Sequence, residues 1–154
     1  MEIRSVPKDK ICERTMFMKL AKHLILFSIG GLIYLLIEIL YRGYTHQSMF
    51  FVGGLCFVLI GLINEVLDPE TPLLVQMLLS AFMVTAVEFV SGCILNIRLG
   101  LHVWDYSSLW GNILGQISVP FMGIWFFLSA AGILLDDWLR HVIFCEDYPR
   151  YRII

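Results

Sequence analysis

The chain has 154 residues, of which 58% are hydrophobic and 16% are charged, and its mean hydropathy is +0.79. A soluble domain of this length needs far more polar surface, so the composition indicates an integral membrane protein. The net charge of -2 comes with no basic patch interleaved with aromatic residues, which argues against nucleic acid as a partner.

Four apolar runs follow one another along the chain, and each is near the ~20 residues that an α-helix needs to cross a bilayer. We therefore predict an all-α integral membrane bundle of four transmembrane helices, over residues 20–41, 48–67, 73–97 and 119–135. The sequence leaves open whether residues 108–118 add a short re-entrant or interfacial helix.

The predicted organisation is a cytoplasmic N-terminal segment at residues 1–19, a four-span domain at 20–135 and a cytoplasmic tail at 136–154. Residues 1–22 mix both charges and no small-x-small cleavage site follows the first run, so we expect a retained first span instead of a cleaved signal peptide. Two prolines and two acidic residues at 68–72 predict a turn between the second and third spans.

The lysines and arginines predict the orientation of the bundle. Six of them lie before the first span or at its mouth and three follow the last, and with four spans these two ends share one side of the membrane. The other side carries two, Arg42 and Arg98. By the positive-inside rule, both termini are expected in the cytoplasm.

Three glutamates lie inside the apolar runs, namely Glu38, Glu65 and Glu88. A carboxylate in hydrocarbon is costly and is rarely found there without a partner or a task. Glu65 lies near the cytoplasmic end of its span and could extend to the interface. The alternative for all three is packing, with each polar group satisfied by a neighbouring helix.

Glu38 and Glu88 occupy the outer halves of oppositely running helices, so we predict that both line one polar cavity. Asp105, Asn112 and Gln116 are expected to join them there. Such a cluster could carry protons, bind a cationic or hydroxylated ligand, or serve as general acid or base on a lipid-borne substrate.

Small residues at helical spacing predict close helix packing. The candidates are Gly54, Gly61, Gly92 and Gly123. The histidines share no helical face at ligand spacing, and no Walker-type, G-x-S-x-G or H-E-x-x-H motif occurs, so we predict no metal site and no cofactor.

Two elements carry a resemblance to a known family: E-F-V-S-G, which begins at Glu88, and W-D-Y-S, which begins at Trp104. Together with the glutamate pattern at residues 33–38, they resemble the small bacterial membrane proteins called putative ABC-transporter type IV, or CmpB-like. The same two elements are similar to the vertebrate transmembrane-protein-229 group. The likeness covers roughly residues 20–145. The matched positions are Glu38, Glu88, Gly92, Trp104, Asp105, Tyr106, Ser107 and Gln116.

This resemblance implies a multi-span bundle in the plasma membrane, a transport role and a separate ATPase partner. For the W-D-Y-S element, the residue types favour a cap at the outer interface. Trp104 and Tyr106 would anchor at headgroup depth, while Asp105 would bond backbone amides a few residues further on, close to Ser107.

The leading prediction for function is a small non-enzymatic transporter or solute-binding membrane subunit, with membrane lipid and a small solute or lipid ligand as partners, and with homo-oligomers expected. One alternative is an intramembrane acid-base enzyme that acts on a lipid or isoprenoid. A second alternative is a structural or accessory protein. An aqueous vestibule would favour transport, a lateral opening toward lipid would favour the enzyme, and a closed bundle would favour the accessory role.

Overall fold

The computed structural model describes residues 8–68, 70–149 and 151–152, and for residues 8–16 and 64 it describes the backbone alone. Part of the predicted N-terminal segment, Pro69 of the predicted turn and the last two residues of the tail therefore lie outside the described residues.

The described chain forms four α-helices in antiparallel succession. They are α1 Lys8–Arg42, α2 Ser48–Val66, α3 Leu73–Gly92 and α4 Val119–Phe144. Within the described ranges the β-structure consists of one isolated bridge, between Ile113 and Ile117. The prediction of an all-α membrane bundle is confirmed.

Three stretches among the described residues are long and apolar enough to cross a membrane. These are Phe17–Arg42, Leu73–Arg98 and Val119–Phe144. The remaining helix, α2, is also apolar but shorter, and its 19 residues span ~28 Å against a hydrocarbon core of ~30 Å. In each helix the backbone hydrogen bonds are satisfied within the segment, which is the condition for crossing hydrocarbon.

Two helices are longer than the apolar runs that predict them. α1 begins at Lys8, well before the predicted start at residue 20, and α4 continues to Phe144, nine residues beyond the predicted end at 135. A helix does not stop at the hydrocarbon boundary, and α4 ends only where Cys145 adopts a left-handed conformation, with φ of 56°. Residues expected in a separate tail are therefore helical.

The short helix considered over residues 108–118 does not form. Three residues in this stretch have positive φ: Gly111 (62°), Leu114 (53°) and Gly115 (67°). Left-handed backbone at three places is incompatible with a right-handed helix, so the segment is a series of turns. Before this loop, α3 continues as a π-helical segment from Cys93 to Arg98.

The helices are not equally close to one another. α1 packs along α2, and α4 packs against α3 and α2, whereas α1 and α4 contact each other at few points. We call the shallow gap between these two helices the α1–α4 seam. The end of the bundle with the loop 99–118 is called the loop end, and the opposite end, near both termini, is called the termini end.

Three of the four predicted packing glycines lie where helices or loops approach closely. A Cβ on Gly54 would overlap the backbone of Phe27, one on Gly61 would overlap the Asp136 carboxylate, and one on Gly92 would overlap the Gln116 side chain. The fourth, Gly123, has no atom within 4 Å of such a Cβ position, so the structure gives it no packing partner.

Candidate functional site

Glu38 of α1 and Glu88 of α3 line the same cavity, which has a volume of about 180 Å³ and lies near the loop end. We call it the polar cavity. The two helices run in the same direction, because they are the first and third of an antiparallel succession, and both end at this level. The expectation that the two glutamates lie on oppositely running helices is therefore wrong. The structure therefore brings together the two glutamates that the sequence places in the outer halves of different spans.

Glu38 is tied into an ion pair at the end of its own helix. Arg42, one helical turn further on, donates a hydrogen bond of 2.6 Å to Glu38 Oε1, and Thr45 Oγ1 donates one of 2.6 Å to Oε2. Arg42 also donates to the carbonyl oxygen of Val103 at 2.8 Å. Each oxygen of this carboxylate thus has a donor, one of them the Arg42 guanidinium, and Arg42 also joins α1 to the loop.

Glu88 has different partners. Its Oε1 accepts a hydrogen bond of 2.8 Å from the Tyr106 hydroxyl, and its Oε2 accepts one of 2.9 Å from the indole N–H of Trp125. The residue is only 5% exposed. Burial, and then the negative charge of Glu88, raises the pKa of Tyr106 above its ordinary value, so the phenol keeps its proton and remains a donor.

The charges around the polar cavity do not cancel. Among the described residues that line it are two carboxylates and one guanidinium, that of Arg42. Arg42 bonds Glu38, whereas both partners of Glu88 are neutral donors. A carboxylate has about four lone-pair sites, so each Glu88 oxygen can accept a further hydrogen bond.

A second cavity, of about 140 Å³, continues from the polar cavity toward the middle of the bundle. We call it the apolar cavity, because its lining is almost entirely hydrocarbon, with glycines of α1, α2 and α4 in its walls. Both cavities are lined by Tyr34, Ile37, Trp125 and Leu128. Tyr34 and Trp125 stack at the junction, with ring centroids 5.9 Å apart.

Both cavities lie along the α1–α4 seam, and their rims face the bilayer. Ile37 of α1 is 42% exposed, and Ile124 and Leu128 of α4 are 44% and 36% exposed. These side chains lie at cavity walls and on the apolar outer surface at once. The two cavities are therefore bordered by apolar side chains that are exposed between α1 and α4.

Asp105 and Asn112 do not lie on the polar cavity, contrary to expectation. Asp105 is exposed and accepts hydrogen bonds from Ser107 N at 2.8 Å and Ser107 Oγ at 2.5 Å, which lower the pKa of Asp105 below its ordinary value. Asn112 is also exposed and donates to the carbonyl oxygens of Ser107 and Leu109. Both side chains bond their own loop, because loop turns supply backbone partners at short range.

Gln116 is buried, but it lies in a separate network next to Gly92. Asn96 Nδ2 donates to Gln116 Oε1 at 2.8 Å and to the Trp104 carbonyl at 3.0 Å, while Asn96 Oδ1 accepts from Val103 N at 2.7 Å. The Trp104 indole N–H in turn donates to the Gln116 carbonyl at 3.0 Å. This network fastens the loop to the end of α3.

The W-D-Y-S element therefore differs from the surface anchor that its residue types predict. Trp104 is 7% exposed and points inward, and Tyr106 is half-buried, stacks on Phe121 at 4.2 Å and bonds Glu88. Asp105 and Ser107 are exposed between them. The element is an inward-facing wall of the polar cavity with a turn on its outer side.

A second cluster of charges, at the termini end, was not predicted as a site. Arg140 of α4 bonds Asp136 at 2.5 Å and also bonds Glu65 of α2. Lys22 of α1 bonds Glu65 at 2.9 Å and Glu146 at 2.8 Å. The sequence leaves open whether the Glu65 carboxylate extends to the interface or is satisfied by neighbouring helices. In the structure this carboxylate of α2 bonds Lys22 of α1 and Arg140 of α4, so it joins three helices.

A sequence signal for this cluster does exist. Asp136 and Arg140 are four residues apart, the spacing of an ion pair on one helical face, and Asp136 is 1% exposed. The predicted fourth span ends at residue 135, so Asp136 and Arg140 are assigned to the tail and their helical spacing is not considered.

The chain after α4 folds back onto the same end of the bundle. Leu73 N donates to the carbonyl oxygen of Arg152 at 2.7 Å, and the Tyr151 hydroxyl donates to Asp137 at 2.5 Å. Burial, and then the bond to Asp137, raises the pKa of Tyr151 above its ordinary value. The described part of the tail thus connects α4 to the start of α3.

Within the described residues, no group of three or more His, Cys, Asp or Glu side chains is arranged to hold a metal ion. The arrangement around Glu88 offers a carboxylate and aromatic walls, since Tyr106 and Trp125 already donate their single protons to Glu88. It can bind a ligand through charge, hydrogen bonds and ring faces.

One comparison with known proteins gives a match. The family model described as putative ABC-transporter type IV matches residues 22–144, which is more than half of the chain and includes the two glutamates and the W-D-Y-S element. No curated protein and no solved structure shows significant similarity to the chain. The resemblance seen in the sequence is confirmed for this family, and the chain belongs to the putative ABC-transporter type IV family.

Proposed function

We propose that this chain is a membrane-transport protein that takes its ligand from the bilayer through the α1–α4 seam and binds it in the polar cavity. The observation that carries the proposal is the position of Glu38 and Glu88 on one cavity. The exposed apolar rim by itself favours an enzyme, which is therefore kept as the second candidate. The family supports a transport-related role in the membrane.

The state of Glu88 supports a binding role over a purely structural one. A packing carboxylate in a bundle is expected to be answered by a cation, as Glu38 is by Arg42. Glu88 is instead held in a fixed orientation by Tyr106 and Trp125, and it borders an open space. A preformed cavity with a few placed polar groups is the usual form of a small-molecule site.

Native mass spectrometry of the gently solubilised protein tests the proposal. We expect the wild-type protein to carry a co-purifying adduct that is absent from Glu88→Gln, since the amide removes the charge at the site. Glu70→Gln is the matched control, because the Glu70 side chain is 77% exposed on the loop between α2 and α3. This control should keep the adduct.

Identical adduct spectra for the wild type and Glu88→Gln, with both proteins folded by thermal melting, would contradict the proposal. If an adduct is identified, proteoliposomes loaded with that compound should release it faster with wild-type protein than with Glu88→Gln. The second measurement separates transport from binding alone.

An acid-base enzyme that acts on a lipid or isoprenoid is the second candidate, and the lateral rim of the cavities is the observation that favours it. Such an enzyme needs a carboxyl group that donates a proton to a substrate in the bilayer or accepts a proton from it. In this case the adduct should include a product whose mass differs from its precursor, and the product should disappear in Glu88→Gln. An accessory role without a ligand would leave every variant free of adducts.

We further propose that the loop end faces the outside of the plasma membrane and the termini end faces the cytoplasm, as the distribution of lysine and arginine predicts. A separate ATPase would then meet the short 67–72 connection and the tail that packs on it. Homo-oligomers are also proposed, and the native mass spectra report their stoichiometry.

A further inference from the structure

We infer that the ligand of the polar cavity is an organic ammonium ion with an apolar substituent. This inference names the ligand class for the proposed transport site, and it rests on that proposed function.

Aromatic rings form much of the wall beside Glu88. The rings are those of Tyr34, Trp104, Tyr106, Phe121 and Trp125. Two contacts hold them in place, the stacking of Tyr106 on Phe121 and that of Tyr34 on Trp125. Aromatic faces attract cations through the ring quadrupole, and cages of such rings bind quaternary ammonium groups.

The charges that line the polar cavity also favour a cationic ligand. Two carboxylates and one guanidinium line the cavity, and Arg42 is already bonded to Glu38 and to the Val103 carbonyl. A cationic ligand would compensate the negative charge of Glu88 in its ionised form. A neutral ligand would leave that charge buried without compensation, and an anion would be repelled by it.

The apolar cavity supplies the place for the substituent. The cavities, of about 180 Å³ and 140 Å³, are each several times larger than the ~10–15 Å³ that suffices for one water molecule. The two spaces meet at Tyr34 and Trp125, so a short chain attached to an ammonium group at Glu88 would extend past these rings.

A buried hydroxyl in the apolar cavity is a second sign of an occupant. Ser129 is 1% exposed, lines this cavity, and its Oγ has no hydrogen-bond partner among the described residues. A water molecule or a polar atom of the occupant would satisfy this hydroxyl, whereas the apolar substituent itself could not.

Binding of three probes that share a six-carbon chain to the wild-type protein tests the ligand class without any variant. The probes are hexyltrimethylammonium, hexanol and hexanesulfonate, measured by isothermal titration calorimetry in dodecyl maltoside micelles with empty micelles as the blank. This detergent has no ammonium group to compete. We expect the cation to bind at least about tenfold more tightly than the alcohol or the sulfonate, because both the rings and Glu88 attract it.

Variants of Glu88 then test whether the preference arises at this residue. Glu88→Gln should weaken hexyltrimethylammonium about tenfold or more, whereas Glu88→Asp keeps the charge and should keep the preference. Glu70→Gln should bind like the wild type, since its side chain is exposed away from the cavities. Trp125→Leu should weaken the cation more than hexanol.

Equal binding of cation and alcohol, tighter binding of the sulfonate, or a cation affinity that Glu88→Gln leaves unchanged would overturn the inference. If the mass-spectrometric adduct still depends on Glu88 in that event, the transport site stands and the ligand class is wrong. If the adduct is also independent of Glu88, both proposals fail.

Discussion

At the scale of single residues, Asn96 shows how one buried amide organises the loop end. Its side chain donates to the Trp104 carbonyl and to Gln116, and it accepts from Val103 N at 2.7 Å. Because these bonds hold Val103 and Trp104 in place, they also set the position of the neighbouring Tyr106, which bonds Glu88. The geometry of the candidate site thus depends on a residue that does not contact the cavity.

Asn96→Ala should lower the free energy of unfolding by about 3 kcal/mol, since the buried Val103 N–H and Trp104 carbonyl each lose a partner. Asn112→Ala is the matched control, because its bonds are exposed to water and their loss should cost less than about 1 kcal/mol. Equilibrium unfolding in mixed micelles measures both. If both variants lost the same free energy of unfolding, the hydrogen bonds of Asn96 would not be what holds the loop in place.

At the scale of helices, the approach of α4 to α2 depends on a glycine. Gly61 lies against the carboxyl group of Asp136, which is itself held by Arg140 and is 1% exposed. A side chain that is paired and buried in this way has little freedom to move aside. The close packing of these helices therefore requires that residue 61 have no Cβ.

Gly61→Ala should destabilise the protein by about 2 kcal/mol, because the added methyl group overlaps Asp136 and forces α2 and α4 apart. Gly123→Ala in α4 has nothing within 4 Å of the new methyl group, and alanine is the better helix former, so its stability should rise by up to about 1 kcal/mol. Thermal melting in detergent compares the two variants. A neutral Gly61→Ala would mean that the helices tolerate a wider separation.

At the scale of the whole molecule, α1 is attached differently from the other helices. It packs on α2, and its links to α4 and to the loop are few. They are the ion pair of Lys22 with Glu146, the apolar cluster of Leu26 with Leu139, the stacking of Tyr34 on Trp125 and the hydrogen bond from Arg42 to the Val103 carbonyl. The α1–α4 seam lies between Lys22 and Arg42, and the Leu26 and Tyr34 contacts cross it.

Labelling with a membrane-impermeant maleimide tests which end faces the cytoplasm. Cys145 is exposed at the termini end, so a protein in which it is the only cysteine should be labelled only after the cells are permeabilised. Ser108→Cys, added at an exposed position of the loop end in a cysteine-free protein, should be labelled in intact cells. The opposite pattern would reverse the orientation predicted by the positive-inside rule.

The helices and the candidate site differ in how far they could be predicted. The apolar runs predict the four helices, and the outer-half positions of Glu38 and Glu88 predict that they share a level, because rise per residue converts sequence position into depth. The partners of Asp105, Asn112 and Gln116 could not be predicted, since a loop with several left-handed residues has no periodicity from which to read side-chain direction.

Hydropathy and charge along the chain are sufficient for a bilayer-embedded helical bundle, and its E-F-V-S-G and W-D-Y-S elements are sufficient for the family, because both depend on residue types at known spacing. The hydrogen-bond and ion-pair partners of each buried carboxylate come from segments that are far apart in the chain. Glu88 meets Tyr106 and Trp125, and Glu65 meets Lys22 and Arg140, only once the helices are packed. The open α1–α4 seam likewise follows from how the helices pack, since no local pattern specifies which pair of helices stays apart.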